Sequence, residues 1–198
     1  MKNDHYYSAD PSSASKPQEA RFSWGGRTLS LTTDAGVFSK GELDSGTRIL
    51  LEALPETLSG DILDLGCGWG PVGVCLGLEH PDRRITFADI NSRALELAKA
   101  NAARYNVPGV FLQSDGFDAL EGCFDTVITN PPIRAGKQTI YRMFSDCAEH
   151  LKPGGQLYIV IRKQQGAPSA LQFLASVYPQ VQVIDKSGGY WVICCRKE

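Results

Sequence analysis

Long apolar runs are missing from this chain: none approaches the ~20 residues that a membrane-spanning helix needs. The opening stretch from Met1 to Ser15 is polar and holds no apolar signal-peptide segment, so the cytoplasm is the expected location. Cysteine lacks pattern rather than number. The six, at positions 67, 75, 123, 147, 194 and 195, form no C-x-x-C pair and no regular spacing. Reduced, mostly buried thiols are therefore expected, not a disulfide frame or a zinc site. His5, His80 and His150 stand apart from one another, which argues against a histidine metal cluster. An excess of either charge is missing too: 20 Lys and Arg stand against 22 Asp and Glu, a formal net charge of -2. A nucleic-acid partner would need a local basic surface, because phosphate contacts dominate such affinities.

What is present suits a globular domain: 198 residues, 42% hydrophobic and 21% charged. That is enough for one core, or one core with a small appendage. We expect a lead and β-hairpin over 1–35 and the main domain over 36–198. Arg21 to Trp24, Gly25-Gly26 and Arg27 to Thr32 alternate and turn as a hairpin. Gly41 to Leu54 ends in an apolar helix. Asp61 to Leu65 reads as a buried strand, followed by a helix over 71–79 and a strand from Arg84 to Asp89. Ser92 is placed to cap a helix carrying Leu95, Ala98, Ala102 and Tyr105 at helical spacing.

Further strands run from Val110 to Gln113 and Phe124 to Thr129, then a helix over 138–150. Lys152-Pro-Gly-Gly155 reads as a turn before the strand Gln156 to Ile161, and a helix follows over 169–177. Strands alternating with helices imply parallel pairing with right-handed crossovers. Val181 to Asp185 and Tyr190 to Cys195, joined by Lys186-Ser-Gly-Gly189, must instead pair antiparallel. The expected class is α/β and Rossmann-like, a mostly parallel seven-stranded sheet ending in an antiparallel hairpin.

In such sheets ligands collect beyond the carboxyl ends of the strands. Asp64-Leu-Gly-Cys-Gly-Trp-Gly70 lies at one such end, and the helix after it points amide groups at the same place. Gly68-Trp-Gly70-Pro-Val-Gly73 satisfies the dinucleotide pattern G-x-G-x-x-G, and Asp89 lies near the ~20-residue distance of its ribose ligand. NAD and S-adenosylmethionine both present an adenosine, so these residues admit either. Asp89 alone also reads as a helix-capping acid, and so does Asp115. Cys67 lacks the partners of a nucleophile, and packing suits it better.

Asn130-Pro131-Pro132-Ile133 follows a buried strand whose carboxyl end faces the same loop. As bare punctuation it is a rigid turn. As chemistry it suits methyl transfer to a planar nitrogen, whose lone pair is delocalised. The Asn oxygen and the Pro131 carbonyl can each accept an N–H and hold that lone pair toward the methyl. Prolines contribute no competing N–H and fix φ.

The run Asp64-x-Gly66-x-Gly68-x-Gly70 resembles motif I of the class I methyltransferases, and Asn130-Pro-Pro-Ile133 resembles the N-P-P-[aromatic] loop of their amino-methyltransferase group. More narrowly, the chain is similar to the methyltransferase small-domain family that includes bacterial 16S rRNA guanine-N2 methyltransferases. Asp34 to Ser39, Gly41 to Thr47 and the opening His5-Tyr-Tyr7 add to the likeness. The resemblance implies S-adenosylmethionine as cofactor, held by Phe38, Asp64, Gly66, Cys67, Gly68, Gly70, Asp89, Ile90, Asp115, Gly116 and Asn130. It assigns Asp89 to the ribose and Asp115 to the adenine edge. Asn130, Pro131, Pro132 and Ile133 become the catalytic loop.

Two departures stand out. The family's fourth loop residue is usually aromatic and stacks on the base, whereas Ile133 is aliphatic; Phe38 or Tyr141 is the expected substitute. The better-known rRNA enzymes also carry a duplicated domain in front, which these 198 residues do not include.

The implied substrate is the exocyclic amine of a guanine in RNA, flipped from its stack, with Arg134, Lys137 and Arg142 as the local basic surface. Lys40, Arg48, Lys16 and Arg21 supplement it. The same chemistry suits a protein glutamine amide, although those enzymes carry a helical domain before motif I. An NAD-dependent oxidoreductase or a non-catalytic nucleotide-binding module would leave Asn130-Pro-Pro without a role.

Overall fold

The structure, a computed structural model, describes Ala9, Pro11 and residues 13–198; His5-Tyr-Tyr7 lies outside the described residues. Period-two alternation makes the first hairpin. In β1 (Gln18–Trp24) and β2 (Arg27–Thr33), Ala20, Phe22, Leu29 and Leu31 are buried and the residues between them face outward. Gly25 and Gly26 both hold positive φ, 54° and 71°, the turn geometry whose twist matches a two-residue hairpin.

The remaining strands form one sheet. β3 (Ile62–Leu65), β4 (Ile85–Asp89), β5 (Val110–Gln113), β6 (Phe124–Thr129), β7 (Leu151–Arg162), β8 (Gln180–Ser187) and β9 (Tyr190–Arg196) stand in the order β5-β4-β3-β6-β7-β9-β8. β3 through β7 pair in parallel, and β9 runs antiparallel to both β7 and β8. This is the seven-stranded sheet expected from the strand–helix alternation.

Helix α1 (Ser45–Ala53) precedes β3, and α2 (Pro71–Glu79), α3 (Ser92–Arg104), α4 (Lys137–His150) and α5 (Ala167–Val177) supply the crossovers. Leu50, Val74, Leu76 and Ala98 join Phe22, Leu29 and Leu31 of the hairpin in one apolar cluster on one face. Phe144, Cys147 and Leu174 of α4 and α5 build a second cluster on the other face. The central strands β3, β4 and β6 and the second half of β7 are buried on both sides, which explains their near-continuous apolar runs. Four of the six cysteines are buried, Cys194 is half-buried and Cys123 exposed. Among the described residues no helix is long and apolar enough to cross a membrane.

Three local expectations are corrected. The cap of α3 is Asn91, not Ser92: the Asn91 side chain accepts the Ala94 amide at 3.1 Å, so the chain is already helical at Ser92. Lys152-Pro-Gly-Gly155 is not a turn before β7 but an irregularity inside it. Lys152 Nζ reaches Asp61 at 3.1 Å and Asp125 at 2.6 Å, and Gly154 and Gly155 bond Lys197, so the segment stays in the sheet. The last turn is only Gly188-Gly189, because β8 continues through Ser187 after a register shift between Val183 and Asp185.

Candidate active site

The strand order reverses between β3 and β6: the chain winds outward from β3 through β4 to β5, then returns to β6 on the other side. Loops leaving neighbouring strands there diverge and open a crevice. The pairing sets which residues meet. Asp64 is opposite Ile128, Leu65 opposite Ala88, and Asp89 opposite Gln113. Continuing one or two residues past those pairs brings Gly66, Asn130, Asp89 and Asp115 to a common level at the strand ends.

The glycines of the loop divide the work. A methyl on Gly66 or Gly68 would meet nothing within 4 Å, while their φ values of 71° and 55° lie in the region a side chain strains. The space beside them belongs to the crevice. Gly73 serves packing instead: a methyl there would sit 2.1 Å from Phe87 Cε1.

Two carboxylates are pinned by the backbone. Asp64, buried beneath the loop, accepts the Gly73 amide at 2.9 Å, inside the first turn of α2. Burial pushes its pKa up to about 7, the Gly73 hydrogen bond opposes this, and the neighbouring Asp89 charge adds to it. Asp89 accepts Gly68 N at 2.7 Å with Oδ2 and Asn91 N at 2.8 Å with Oδ1. Burial raises its pKa as well, against hydrogen bonds from Asn91, Gly68 and Ile90. Each oxygen keeps a lone pair for a hydroxyl donor. Burial drives the Cys67 thiol well above its ordinary range, which suits packing and not nucleophilic attack.

Asn130 is held from the far side of the crevice. Its Nδ2 donates to Asp44 Oδ2 at 3.0 Å and to Thr47 Oγ1 at 2.9 Å. A carboxylate can only accept, so Asp44 decides which end of the amide is nitrogen. Among the described residues neither Asn130 Oδ1 nor the Pro131 carbonyl accepts a hydrogen bond from the protein. Asp44 does double duty, since the same oxygen caps α1 by accepting Thr47 N at 2.9 Å.

These groups surround a cavity of about 350 Å³, within the range of small-molecule and cofactor sites. Of the residues singled out from sequence, Phe38, Asp64, Gly66, Cys67, Gly68 and Asp89 line it. So do Ile90, Asp115, Gly116, Asn130, Pro131 and Pro132. Gly70 and Ile133 do not. Gly70 is the left-handed cap of α2, with Ala98 directly against it. Ile133 opens a 3-10 turn, Ile133–Ala135, and packs on the second apolar cluster. Sequence reasoning missed Thr47, Ala135, Thr139 and Met143 on the wall, and Asp44 behind Asn130. The D-x-x-T spacing of an N-capped helix was the available signal for Asp44 and Thr47.

The roof of the cavity is tied down by side chains that carry no obvious motif. Trp69, 2% exposed, donates Nε1 to the Phe38 carbonyl at 2.9 Å. Asn91 Nδ2 donates to Gly36 O at 2.8 Å. Asn101, fully buried, bonds Thr32 N, Thr32 O and Trp69 O, each at 2.8 Å, joining the first hairpin to the glycine loop.

The basic residues beyond the loop separate. Arg134 and Lys137 are exposed, and Lys137 rests 5.1 Å from the centre of the Tyr141 ring. Tyr141 is itself engaged: it stacks on Phe173 at 4.2 Å and its hydroxyl meets Ser169. Arg142 lies in an adjoining cleft with Asp115, Asp118 and Asp146.

The chain is 43% identical to the uncharacterized protein YbxB of Bacillus subtilis over 98% of its own length and 99% of that protein's. It is 35% identical to a Ribosomal RNA small subunit methyltransferase C of Haemophilus influenzae over 83% of this chain, but spans only 50% of that relative. Among solved structures, the T. thermophilus 16S rRNA N2 G1207 methyltransferase, in complex with AdoMet and guanosine, superposes with a TM-score of 0.82 at 23% identity. That match covers 95% of this chain and 52% of the other, and establishes the shared fold. Residues 28–194 match the profile described as Methyltransferase small domain, and the chain belongs to that family.

Proposed function

We propose that this chain is an S-adenosylmethionine-dependent N-methyltransferase that acts on the exocyclic amine of a guanine in ribosomal RNA. The observation that carries the reading is the fixed Asn130 amide. With Nδ2 committed to Asp44 and Thr47, Asn130 offers the cavity an acceptor, the polarity that an amine N–H requires. A carbonyl on the substrate would find no donor at Asn130.

The cofactor fits the cradle. Gly66 and Gly68 leave open space where any side chain would intrude, and Asp89 presents two anchored oxygens to a ribose. Bound S-adenosylmethionine supplies an electrophilic methyl on a sulfonium. In this reading Asp64 offsets that positive charge from beneath the loop, and Asp115 and Gly116 meet the adenine. Asn130 Oδ1 and the Pro131 carbonyl would accept hydrogen bonds from the two amine N–H groups and so turn the nitrogen lone pair toward the methyl that the cofactor would supply. Such positioning removes much of the entropic barrier for a weak nucleophile. Similarity to the rRNA small subunit methyltransferases supports RNA as the substrate class.

The test is methyl transfer from labelled cofactor to 16S rRNA and to ribosomal small subunits, followed by nucleoside mass spectrometry. Methylguanosine is expected in one of the two. Its absence from both, with label appearing on a release-factor glutamine, would overturn the RNA reading in favour of a protein substrate.

A further inference from the structure

Among the described residues, three cations rest on aromatic rings near the carboxyl rim of the sheet, the Tyr190 pair on the face of the first apolar cluster and the Tyr141 and Trp191 pairs on the face of the second. Lys137 covers Tyr141 at 5.1 Å, Arg162 covers Tyr190 at 5.4 Å and Lys186 covers Trp191 at 4.4 Å. The sheet explains the grouping. β6 and β7 are parallel with Thr129 opposite Ile159, so Arg162 ends β7 on the same side of the sheet as Asn130. Arg162 faces Tyr190 at the start of β9, and Ser187 at the end of β8 faces the same residue. The β8–β9 turn therefore stands on the catalytic side. Lys163, exposed, opens the short 3-10 turn that follows β7.

This rim touches the catalytic amide through one layer of residues. Tyr190 packs on Gly46, where a methyl would lie 2.9 Å from Cε1. Gly46 stands between Asp44 and Thr47, the two residues that hold Asn130.

Charge sets the partner. Among the described residues, none of Lys137, Arg162, Lys163 and Lys186 makes a salt bridge, whereas Arg48, Arg83, Arg104 and Lys152 do. The nearby Asp185 is engaged by Ser187 Oγ at 3.1 Å. On the adjoining shoulder of the cavity three carboxylates, Asp115, Asp118 and Asp146, outnumber the one guanidinium, Arg142. A polyanion crossing the site is repelled from that shoulder and drawn to the rim. The stacked rings hold the cations in place, and arginine and lysine so held are suited to phosphate oxygens.

We infer that Arg162, Lys163 and Lys186, with Lys137, form the surface that anchors the single-stranded RNA flanking the target nucleotide. This rests on the RNA reading above. A single strand is the fitting partner because a base that must reach a cavity has left its stack. The rim then grips phosphates next to the extruded nucleotide while Asn130 receives its amine.

The test measures equilibrium binding of in-vitro-transcribed 16S rRNA to the full chain across a salt series, beside methyl transfer. The variant R162A/K163A/K186A should bind RNA at least ten times more weakly. Its log–log salt dependence should become shallower by about 2, since each phosphate contact on a single strand contributes about 0.7. Its cofactor affinity, by calorimetry, should equal that of the unaltered chain, which shows that it is folded. The control R84A/K99A/R196A removes the same charge elsewhere and should bind RNA normally. Unchanged RNA binding by the rim variant, in a chain that methylates RNA, would overturn the rim and leave the function standing. An equal loss in the control would also overturn it. If the unaltered chain neither binds nor methylates RNA, both the rim and the RNA reading fail.

Discussion

Asn130 Nδ2 and Asp44 Oδ2 lie 3.0 Å apart across the crevice, joining the loop after β6 to the cap of α1. This bond makes a prediction that separates orientation from folding. Asn caps helices as well as Asp does, so Asp44→Asn should leave the melting temperature close to that of the unaltered chain. The new amide offers a donor as well as an acceptor, and Asn130 loses its single orientation. A charge-assisted hydrogen bond is worth about 1.5–3 kcal/mol, so kcat should fall about ten- to hundredfold with cofactor affinity preserved. Asn130→Ala should likewise lower turnover far more than cofactor binding. Steady-state kinetics with calorimetry on both variants checks this; equal losses in the two quantities would refute the orienting role.

The buried carboxyl of Asp64 predicts a pH dependence. Its pKa in the fold is about 7 against an ordinary 3.8, raised by burial. The folded chain therefore holds a proton that the unfolded chain releases, and the cofactor-free protein should lose stability as pH rises through that window, levelling above 7. A cationic cofactor favours the anion. Its affinity should thus rise with pH up to the same pKa and then flatten, with proton release visible as a buffer-dependent binding enthalpy. Asp64→Asn should flatten both profiles; a slope retained in that variant would assign the titration to another group.

Phe87 is clamped. A methyl on Gly73 would fall 2.1 Å from its Cε1, one on Gly109 would fall 2.7 Å from its Cε2, and the ring stacks on Phe111 at 4.6 Å. With no direction open for retreat, Gly73→Ala should destabilise the chain by about 1–3 kcal/mol, the usual cost of overpacking. Urea unfolding would measure it, and a neutral result would mean that α2 shifts on β4 more easily than the packing implies.

Asn101 predicts the coupling of the first hairpin to the site. Removing its three 2.8 Å bonds to Thr32 and Trp69 strands buried backbone groups at about 1–3 kcal/mol. In Asn101→Ala, amide exchange in β1 and β2 should accelerate more than in β6 or β7. Cofactor affinity should fall with it, because Trp69 loses its anchor. Uniform acceleration across the sheet would show that the hairpin unfolds only with the whole domain.

Local chemistry carried much of this protein's reading. The strand and helix periods, the two-glycine turn and Gly66-x-Gly68 are short-range properties, and they are legible because φ preferences and burial patterns repeat within a few residues. Of the twelve expected site residues that line the cavity, all but Phe38 lie at or just after the ends of strands that must meet in a parallel sheet. Even there, local rules misplaced the cap of α3 and cut β7 short at Lys152-Pro-Gly-Gly155. Asn91 and Ser92 both cap well, and the ion pairs that keep Lys152 in the sheet come from distant strands.

What tertiary structure alone decided is partnership across long separations. Asp44 and Asn130 are 86 residues apart, and nothing local in either segment records that one orients the other. Ile133, expected in the catalytic loop, opens the 3-10 turn and is partly buried against the second apolar cluster. Arg162, Lys163 and Lys186 carry no motif; they form a rim only because β9 runs antiparallel between β7 and β8. The sequence by itself determined which strands end in reactive loops, since that is written in neighbouring residues. Which side chains face one another at those ends was decided by strand order, which depends on the packing of the whole sheet.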